Sequence, residues 1–239
     1  MIKVITSKEN KQIKFALSLK ENKYRKINKM FLAETYKSLE MALKNNVVVC
    51  TFSLCQIEGI NDEIDQYIVS EEILKKLSSN VSPEGVVFIA KEVEIAPKKE
   101  EKILYLDHIS DPGNMGTLIR TALAFDYDLV VVSENSVSIY NEKVINSSKG
   151  AIFAMPIKVG DLTPYLSTHQ IIVSLLSDDS ISLDELKVND KFVLILGNES
   201  HGVKRESKRS ATVKVKIPIK NIDSLNVAVA GGILMNKIH

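Results

Sequence analysis

Arg120 stands four residues after Gly116, in a stretch whose apolar residues recur at helical spacing. On a helix these two residues share a face, whereas Leu118, Ile119 and Ala122 turn towards a sheet. Glycine has no Cβ, so a ligand can approach the helix closely, and the planar guanidinium of arginine binds phosphate bidentately. The pattern alone predicts an electrostatic clamp for a phosphate group. The alternative is an exposed arginine with a structural role.

Two polar segments, 197–202 and 218–224, each follow a short apolar run. The runs 192–196 and 213–217 have the length and β-branched content of buried strands, and ligands bind beyond the carboxyl ends of such strands. We therefore predict a pocket between adjacent strand ends. A phosphate loop is not indicated, because Lys-Ser/Thr does not follow Gly202 and no GxGxxG fingerprint is present. Taken alone, the segments could equally be ordinary turns of an α/β core.

Three motifs, in order, resemble those of the SpoU (TrmH-type) RNA ribose 2′-O-methyltransferases of the SPOUT superfamily. The first, Asn-x-Gly followed by Arg-Thr-Ala, is matched by Asn114, Gly116, Arg120, Thr121 and Ala122. The second, Leu-Gly-x-Glu, is matched by Leu196, Gly197 and Glu199. The third, Ile-Pro and then Ser-Leu-Asn-Val, is matched by Ile217, Pro218 and 224–227.

The resemblance implies transfer of a methyl group from S-adenosylmethionine to a ribose 2′-hydroxyl of RNA. This reaction depends on positioning, and a weakly acidic hydroxyl needs a base or a stabilised alkoxide. The residues implied as catalytic are Arg120, Asn114, Glu199, Ser224 and Asn226. The residues predicted to bind the cofactor, largely through backbone groups and apolar contact, are Gly197, Ile217, Leu225, Asn198 and Leu176.

Four of the implied catalytic residues also have structural alternatives. Asn114 could cap the helix predicted over 117–125, and Glu199 could be a carboxylate at a helix start. Ser224 and Asn226 would serve as caps of the predicted last helix, 225–237, in any α/β protein.

Composition limits the class of protein. The 239 residues include 31 Lys/Arg and 30 Asp/Glu, and no apolar run approaches the length of a membrane span. Met1-Ile2-Lys3 does not open a signal peptide, so we expect a soluble, cytoplasmic protein. Cys50 and Cys55 are too isolated from the histidines for a zinc site, so we expect reduced core thiols and no metal.

Positive charge is concentrated near the start of the chain. Up to residue 46, eleven Lys/Arg stand against four Glu. Phosphate contacts supply most nonspecific nucleic-acid affinity, so this excess predicts RNA binding by a basic amphipathic helix over 10–28. The side chains predicted to contact RNA are Lys20, Lys23, Arg25 and Lys26. The alternative is a solvated face.

The strand and helix patterns predict three regions: a small α/β RNA-binding domain over 1–92, a charged linker over 93–102, and a methyltransferase domain over 103–239. Strands alternate with helices in the last region, which predicts a parallel sheet covered by helices. The first region resembles the substrate-binding domain of many SpoU proteins through KxRxxxxxFLxE and SPEGV. That domain favours ribosomal RNA as substrate over transfer RNA.

The resemblance further implies a C-terminal trefoil knot and a homodimer, neither of which spacing or periodicity indicates. Two alternatives stay open. The chain could methylate transfer RNA, or it could be a noncatalytic RNA-binding or assembly protein on the same fold.

Overall fold

The computed structural model describes residues 1–92, 94–198 and 202–238. The strands are β1 (Ile2–Ile5), β2 (Met30–Glu34), β3 (Val48–Ser53), β4 (Asp65–Val69), β5 (Val86–Lys91), β6 (Lys102–Asp107), β7 (Leu129–Val132), β8 (Ile157–Val159), β9 (Gln170–Ser174), β10 (Ile181–Ser182), β11 (Phe192–Gly197) and β12 (Val213–Lys216). The α-helices are α1 (Lys11–Ser18), α2 (Asn22–Asn28), α3 (Tyr36–Lys44), α4 (Glu71–Leu77), α5 (Pro112–Ala124), α6 (Glu142–Ser148), α7 (Arg205–Arg209) and α8 (Val227–Ile238). Short 3-10 helices cover Ala151–Phe153, Thr163–Tyr165 and Leu183–Glu185.

The chain forms two compact units. Unit 1 comprises Met1–Val93 and Tyr140–Ala154, and unit 2 comprises Glu94–Ile139 and Met155–His239. Tyr140 and Phe153 pack on Phe31, with ring centroids 4.9 and 5.8 Å away, so their segment shares the core of unit 1. The division predicted from sequence, into 1–92, 93–102 and 103–239, assigns residues 140–154 to the last region instead. Those domain boundaries stay a prediction.

Unit 1 contains a five-stranded mixed sheet in the order β1-β4-β3-β5-β2. Its basic N-terminal stretch is not the single helix that the sequence predicts over 10–28. The chain leaves α1 in a turn after Ser18, and α2 starts again at Asn22. The Arg25 guanidinium donates to the carbonyl oxygens of Leu19 and Lys20, at 3.0 and 2.6 Å. These bonds satisfy carbonyl groups at the end of α1 that have no helical partner.

Unit 2 contains a seven-stranded sheet in the order β10-β12-β9-β11-β6-β7-β8, with every neighbouring pair parallel. The predicted parallel sheet is therefore confirmed. The predicted adjacency of the strands at 192–196 and 213–217 is wrong, because β9 lies between β11 and β12 and pairs with both. The central position of β9 fits its side chains, since Ile171, Ile172 and Val173 are fully buried. The order of the strands along the chain does not predict this position. The trefoil knot stays a prediction.

Candidate active site

A cavity of about 200 Å³ lies at the carboxyl ends of β9, β11 and β12. The five predicted cofactor-binding residues, Gly197, Ile217, Leu225, Asn198 and Leu176, all line it, together with Ser224. Sequence reasoning missed other lining residues, among them Ser174, Leu175, Val203, Lys216, Val227 and Ala230. The end of β9 reaches this cavity only because that strand lies between the other two. The roles assigned to the predicted residues stay predictions.

Gly197 allows one wall of the cavity to form. A Cβ on this residue would lie 2.4 Å from Val203 N and 2.5 Å from the Gly202 carbonyl carbon, which is closer than real contacts allow. The chain returns because Asn198 and Gly202 exchange backbone hydrogen bonds of 3.1 and 2.8 Å. Gly202 has φ +66°, a conformation that glycine adopts without strain. We call the described parts of this loop, 197–198 and 202–204, the cavity wall.

The Asn198 side chain connects the cavity wall to the segment after β6. Its Nδ2 donates to the His108 carbonyl oxygen at 3.0 Å and to Ser110 Oγ at 3.1 Å. The residue therefore contributes to the site by fixing the loop as well as by lining the cavity.

Helix α5 begins earlier than predicted. Asp111 is its N-cap, accepting a 2.7 Å hydrogen bond from Asn114 N, and Pro112 occupies the first helical position. This Asp-Pro start is a strong local signal that the prediction of 117–125 overlooked. Asn114 consequently lies within the first turn and is not the cap, which leaves its side chain available for contacts beyond the helix.

Asn226 makes such a contact. Its Nδ2 donates to Asn114 Oδ1 at 3.0 Å, while its Oδ1 accepts from Ala228 N and Val229 N at 2.9 and 3.2 Å. The predicted capping role of Asn226 is thus observed, and the same amide holds the start of α8 against the first turn of α5. Ser224 is exposed at the cavity.

Helices α5 and α8 approach each other closely at Gly231. A Cβ there would lie 2.5 Å from Leu118 Cδ2 and 2.8 Å from Leu196 Cδ1. The absence of a side chain thus allows α8 to pack directly on α5 and β11, beside the cavity.

Arg120 is exposed on α5. Among the described residues its side chain has no hydrogen bond or ion pair, so the guanidinium is available to a ligand. Gly116, which was predicted to share a helix face with Arg120 and to let a ligand approach closely, is buried. Glu199, the remaining predicted catalytic residue, lies outside the described residues.

The four predicted RNA-binding side chains of unit 1 differ in availability. Arg25 is buried with its guanidinium on backbone carbonyls, and burial lowers its pKa, an effect that Glu142 partly opposes. Lys20 donates to the carbonyls of Lys76 and Ser78 at 3.2 and 3.0 Å. Lys23 and Lys26 are exposed on α2 and form no ion pair among the described residues.

Comparison with known proteins places this site in a family. Residues 101–236 match the SpoU rRNA Methylase family, and residues 10–87 match the MRM3-like substrate binding domain. The chain belongs to the SpoU rRNA methylase family and is an RNA methyltransferase.

Individual relatives agree with this assignment. The 23S rRNA (guanosine(2553)-2′-O)-methyltransferase RlmP of Bacillus subtilis is 27% identical, over 98% of each chain. An uncharacterized tRNA/rRNA methyltransferase of Mycoplasma genitalium is 33% identical over 75% of this chain and 78% of its own. The AdoMet-bound rRNA methyltransferase of Sinorhizobium meliloti superposes with a TM-score of 0.88 at 26% identity, covering 99% of this chain and 97% of that one. These findings confirm the predicted family and fold class, and they agree with the predicted cofactor.

The described part of the chain was examined for membrane-spanning helices and for metal-binding clusters. No helix in residues 1–92, 94–198 and 202–238 is long and apolar enough to cross a membrane. Within the same ranges, no group of three or more His, Cys, Asp or Glu side chains is placed to hold a metal ion. Cys50 is buried as expected, whereas Cys55 is exposed and is not a core thiol.

Proposed function

We propose that this chain transfers the methyl group of S-adenosylmethionine to a ribose 2′-hydroxyl of ribosomal RNA. The observation that carries the proposal is the hydrogen bond between Asn226 and Asn114. It joins the helix that bears Arg120 to a segment whose neighbouring residues, Leu225 and Val227, line the cavity. The Bacillus subtilis relative is named for 2′-O-methylation of a guanosine in 23S rRNA, which supports both the position and the RNA.

The chemical character of the cavity suits the cofactor. Its described lining is mainly apolar side chains and the backbone of the cavity wall, and Lys216 is the one residue of that lining with a charged side chain. Apolar contact and main-chain groups can bind an adenine ring without charged side chains. Gly197, Asn198, Ile217, Leu225 and Leu176 would hold the cofactor, which supplies a methyl group on a positively charged sulfur when bound.

The residues around the cavity then act on the RNA. Arg120 binds the phosphate next to the target ribose and stabilises the negative charge that develops on the 2′-oxygen as the hydroxyl proton passes to water. Asn114, held by Asn226, helps to orient that ribose, since small displacements of a nucleophile slow a reaction strongly. Ser224, which lines the cavity, and Glu199, which lies outside the described residues, complete the proposed set of catalytic residues.

RNA affinity and assembly complete the proposal. Unit 1 contributes RNA affinity through Lys23 and Lys26, with Lys20 nearby, whereas Arg25 serves the fold. The active form is a homodimer, because Val229 and Ile233 expose an apolar strip on α8 of the catalytic unit. The predicted cytoplasmic location belongs to the same proposal, since bacterial ribosomal RNA is found there.

The test is methyl transfer by the purified protein. We expect incorporation of labelled methyl from S-adenosylmethionine into ribosomal RNA lacking the modification, and a new nuclease-resistant 2′-O-methyl position. Methylation of transfer RNA alone would overturn the choice of substrate. Tight binding of RNA with no transfer to either RNA would instead favour the noncatalytic alternative.

A further inference from the structure

Asp107 ends β6 directly beside the end of β11, where it is the register partner of Gly197. The residue is buried, with an exposed fraction of 1%. Oδ2 accepts a 2.8 Å hydrogen bond from the backbone N–H of Lys204, 97 residues further along the chain, whereas Oδ1 is buried and has no hydrogen-bond partner among the described residues. None of the motifs that define the site includes this residue.

The hydrogen bond that Asp107 accepts from Lys204 affects one wall of the cavity. Lys204 follows Gly202 and Val203, which line the cavity and pack against Gly197. The backbone hydrogen bonds between Asn198 and Gly202 hold one part of the cavity wall. The bond between Asp107 and Lys204 holds its last residue. A buried carboxylate costs free energy to hold. Its clearest effect is therefore on the position of the wall.

We infer that Asp107 is a positioning residue for cofactor binding: it holds Gly202 and Val203 in the place where the cavity accepts S-adenosylmethionine. The inference rests on the proposed function, because it concerns the affinity of that cavity for that ligand. Asp107 is not among the described residues that line the cavity, and its side chain reaches the cavity wall through the hydrogen bond from Lys204.

Calorimetric titration of the full chain with S-adenosylmethionine tests the inference. Asp107→Ala removes the acceptor and should weaken binding about ten- to a hundredfold, the range for a hydrogen bond to a charged group. Asp107→Asn keeps an oxygen acceptor but loses the charge, so its affinity should lie between those of Asp107→Ala and the wild type. In turnover assays, Asp107→Ala should raise the KM for S-adenosylmethionine and leave kcat at saturating cofactor largely unchanged.

Asp128 provides a matched control at the opposite end of β6. Its Oδ2 accepts the backbone N–H groups of Glu101 and Lys102, each at 2.9 Å, and its side chain is 8% exposed. Asp128→Ala removes a comparable buried acceptor remote from the cavity. It should lower thermal stability while changing cofactor affinity by less than about twofold, as distant sites act independently.

Lys204→Pro deletes the same hydrogen bond from the donor side, which keeps the test decisive if Asp107→Ala does not fold. Lys204 has φ −59°, a value that proline adopts. Weakened binding in this variant supports the inference. Affinity equal to wild type, in this variant or in Asp107→Ala, overturns it. No binding by the wild-type protein would contradict the proposed function itself, and the role of Asp107 would fall with it.

Discussion

Asn226 Nδ2 donates a 3.0 Å hydrogen bond to Asn114 Oδ1, although 112 residues separate the two along the chain. The donor lies at the start of α8 and the acceptor in the first turn of α5. One amide thus performs two functions, since its oxygen caps α8 while its nitrogen holds Asn114.

The two functions of Asn226 can be separated by substitution. Asn226→Asp keeps the capping oxygen but removes the donor, so its thermal stability should remain near wild type while methyl transfer falls. Asn226→Ala removes both, and the missing cap should cost a further ~1 kcal/mol of stability. Thermal melts and single-turnover rates measure the two effects. Equal turnover by wild type and Asn226→Asp would contradict a role for the bond in catalysis.

Arg120→Ala should reduce methyl transfer and leave the fold intact. The side chain is exposed, lacks an ion pair among described residues, and alanine favours helix. Removal of one donor that stabilises the charge developing on a reacting oxygen costs about 10²- to 10³-fold in rate. Arg120→Lys keeps the charge without the planar fork, so it should remain strongly impaired. Wild-type turnover of Arg120→Ala on its true RNA would move the catalytic role elsewhere.

Lys23→Ala combined with Lys26→Ala should weaken RNA binding. A plot of log affinity against log salt concentration has a negative slope. Replacing each lysine that neutralises an RNA phosphate should reduce the magnitude of that slope by about 0.7 to 0.9. Binding of S-adenosylmethionine should not change. Titrations at several salt concentrations provide the measurement.

Two sets of variants control for this effect. Lys44 and Lys75 are exposed but paired with Glu40 and Glu71, so their replacement by alanine should leave the slope nearly unchanged. Arg25→Ala should mainly lower thermal stability, because it removes two bonds to backbone carbonyls. If Lys23 and Lys26 behave like the paired lysines, the exposed face of α2 is merely solvated.

Adjacent glycines in α8 should respond oppositely to alanine. Gly231→Ala introduces a methyl 2.5 Å from Leu118 Cδ2 in a packed core, which should cost about 1–3 kcal/mol. A Cβ added at Gly232 would have no neighbouring atom within 4 Å among the described residues. Gly232→Ala should therefore stabilise the helix by about 0.4–1 kcal/mol. Melting temperatures at one protein concentration test this, and similar shifts for both variants would refute the packing described for Gly231.

The two cysteines should differ in reactivity. Burial raises the pKa of the Cys50 thiol to about 12, whereas Cys55 is exposed. Iodoacetamide at pH 8 should label Cys55 in the native protein and Cys50 only after unfolding, as mass spectrometry would reveal. Because unfolding lets Cys50 release its proton near the ordinary value of 9.0, this group makes the fold less stable as pH rises from 9 towards 12. Rapid native labelling of Cys50 would contradict its burial.

The sequence alone determined the class of protein. Short motifs around Arg120, Gly197 and Asn226 indicated the family, and β-branched runs separated by helical patterns indicated a parallel sheet. Such signals are local, since strand length, helix period and loop chemistry are carried by neighbouring residues. The family motifs also allowed some of the residues that line the cavity, such as Gly197 and Leu225, to be named in advance, whereas others, such as Ser174 and Val203, were missed.

Only the tertiary structure decided which distant elements meet. Strand order depends on pairing between segments far apart along the chain. The local sequences of β9, β11 and β12 therefore did not predict that β9 lies between the other two. Arg25 was predicted to lie on a basic surface, because charge is visible in sequence and burial is not. The bonds from Asn226 to Asn114 and from Lys204 to Asp107 span 112 and 97 residues, and they exist because the packed sheet and helices bring those groups together.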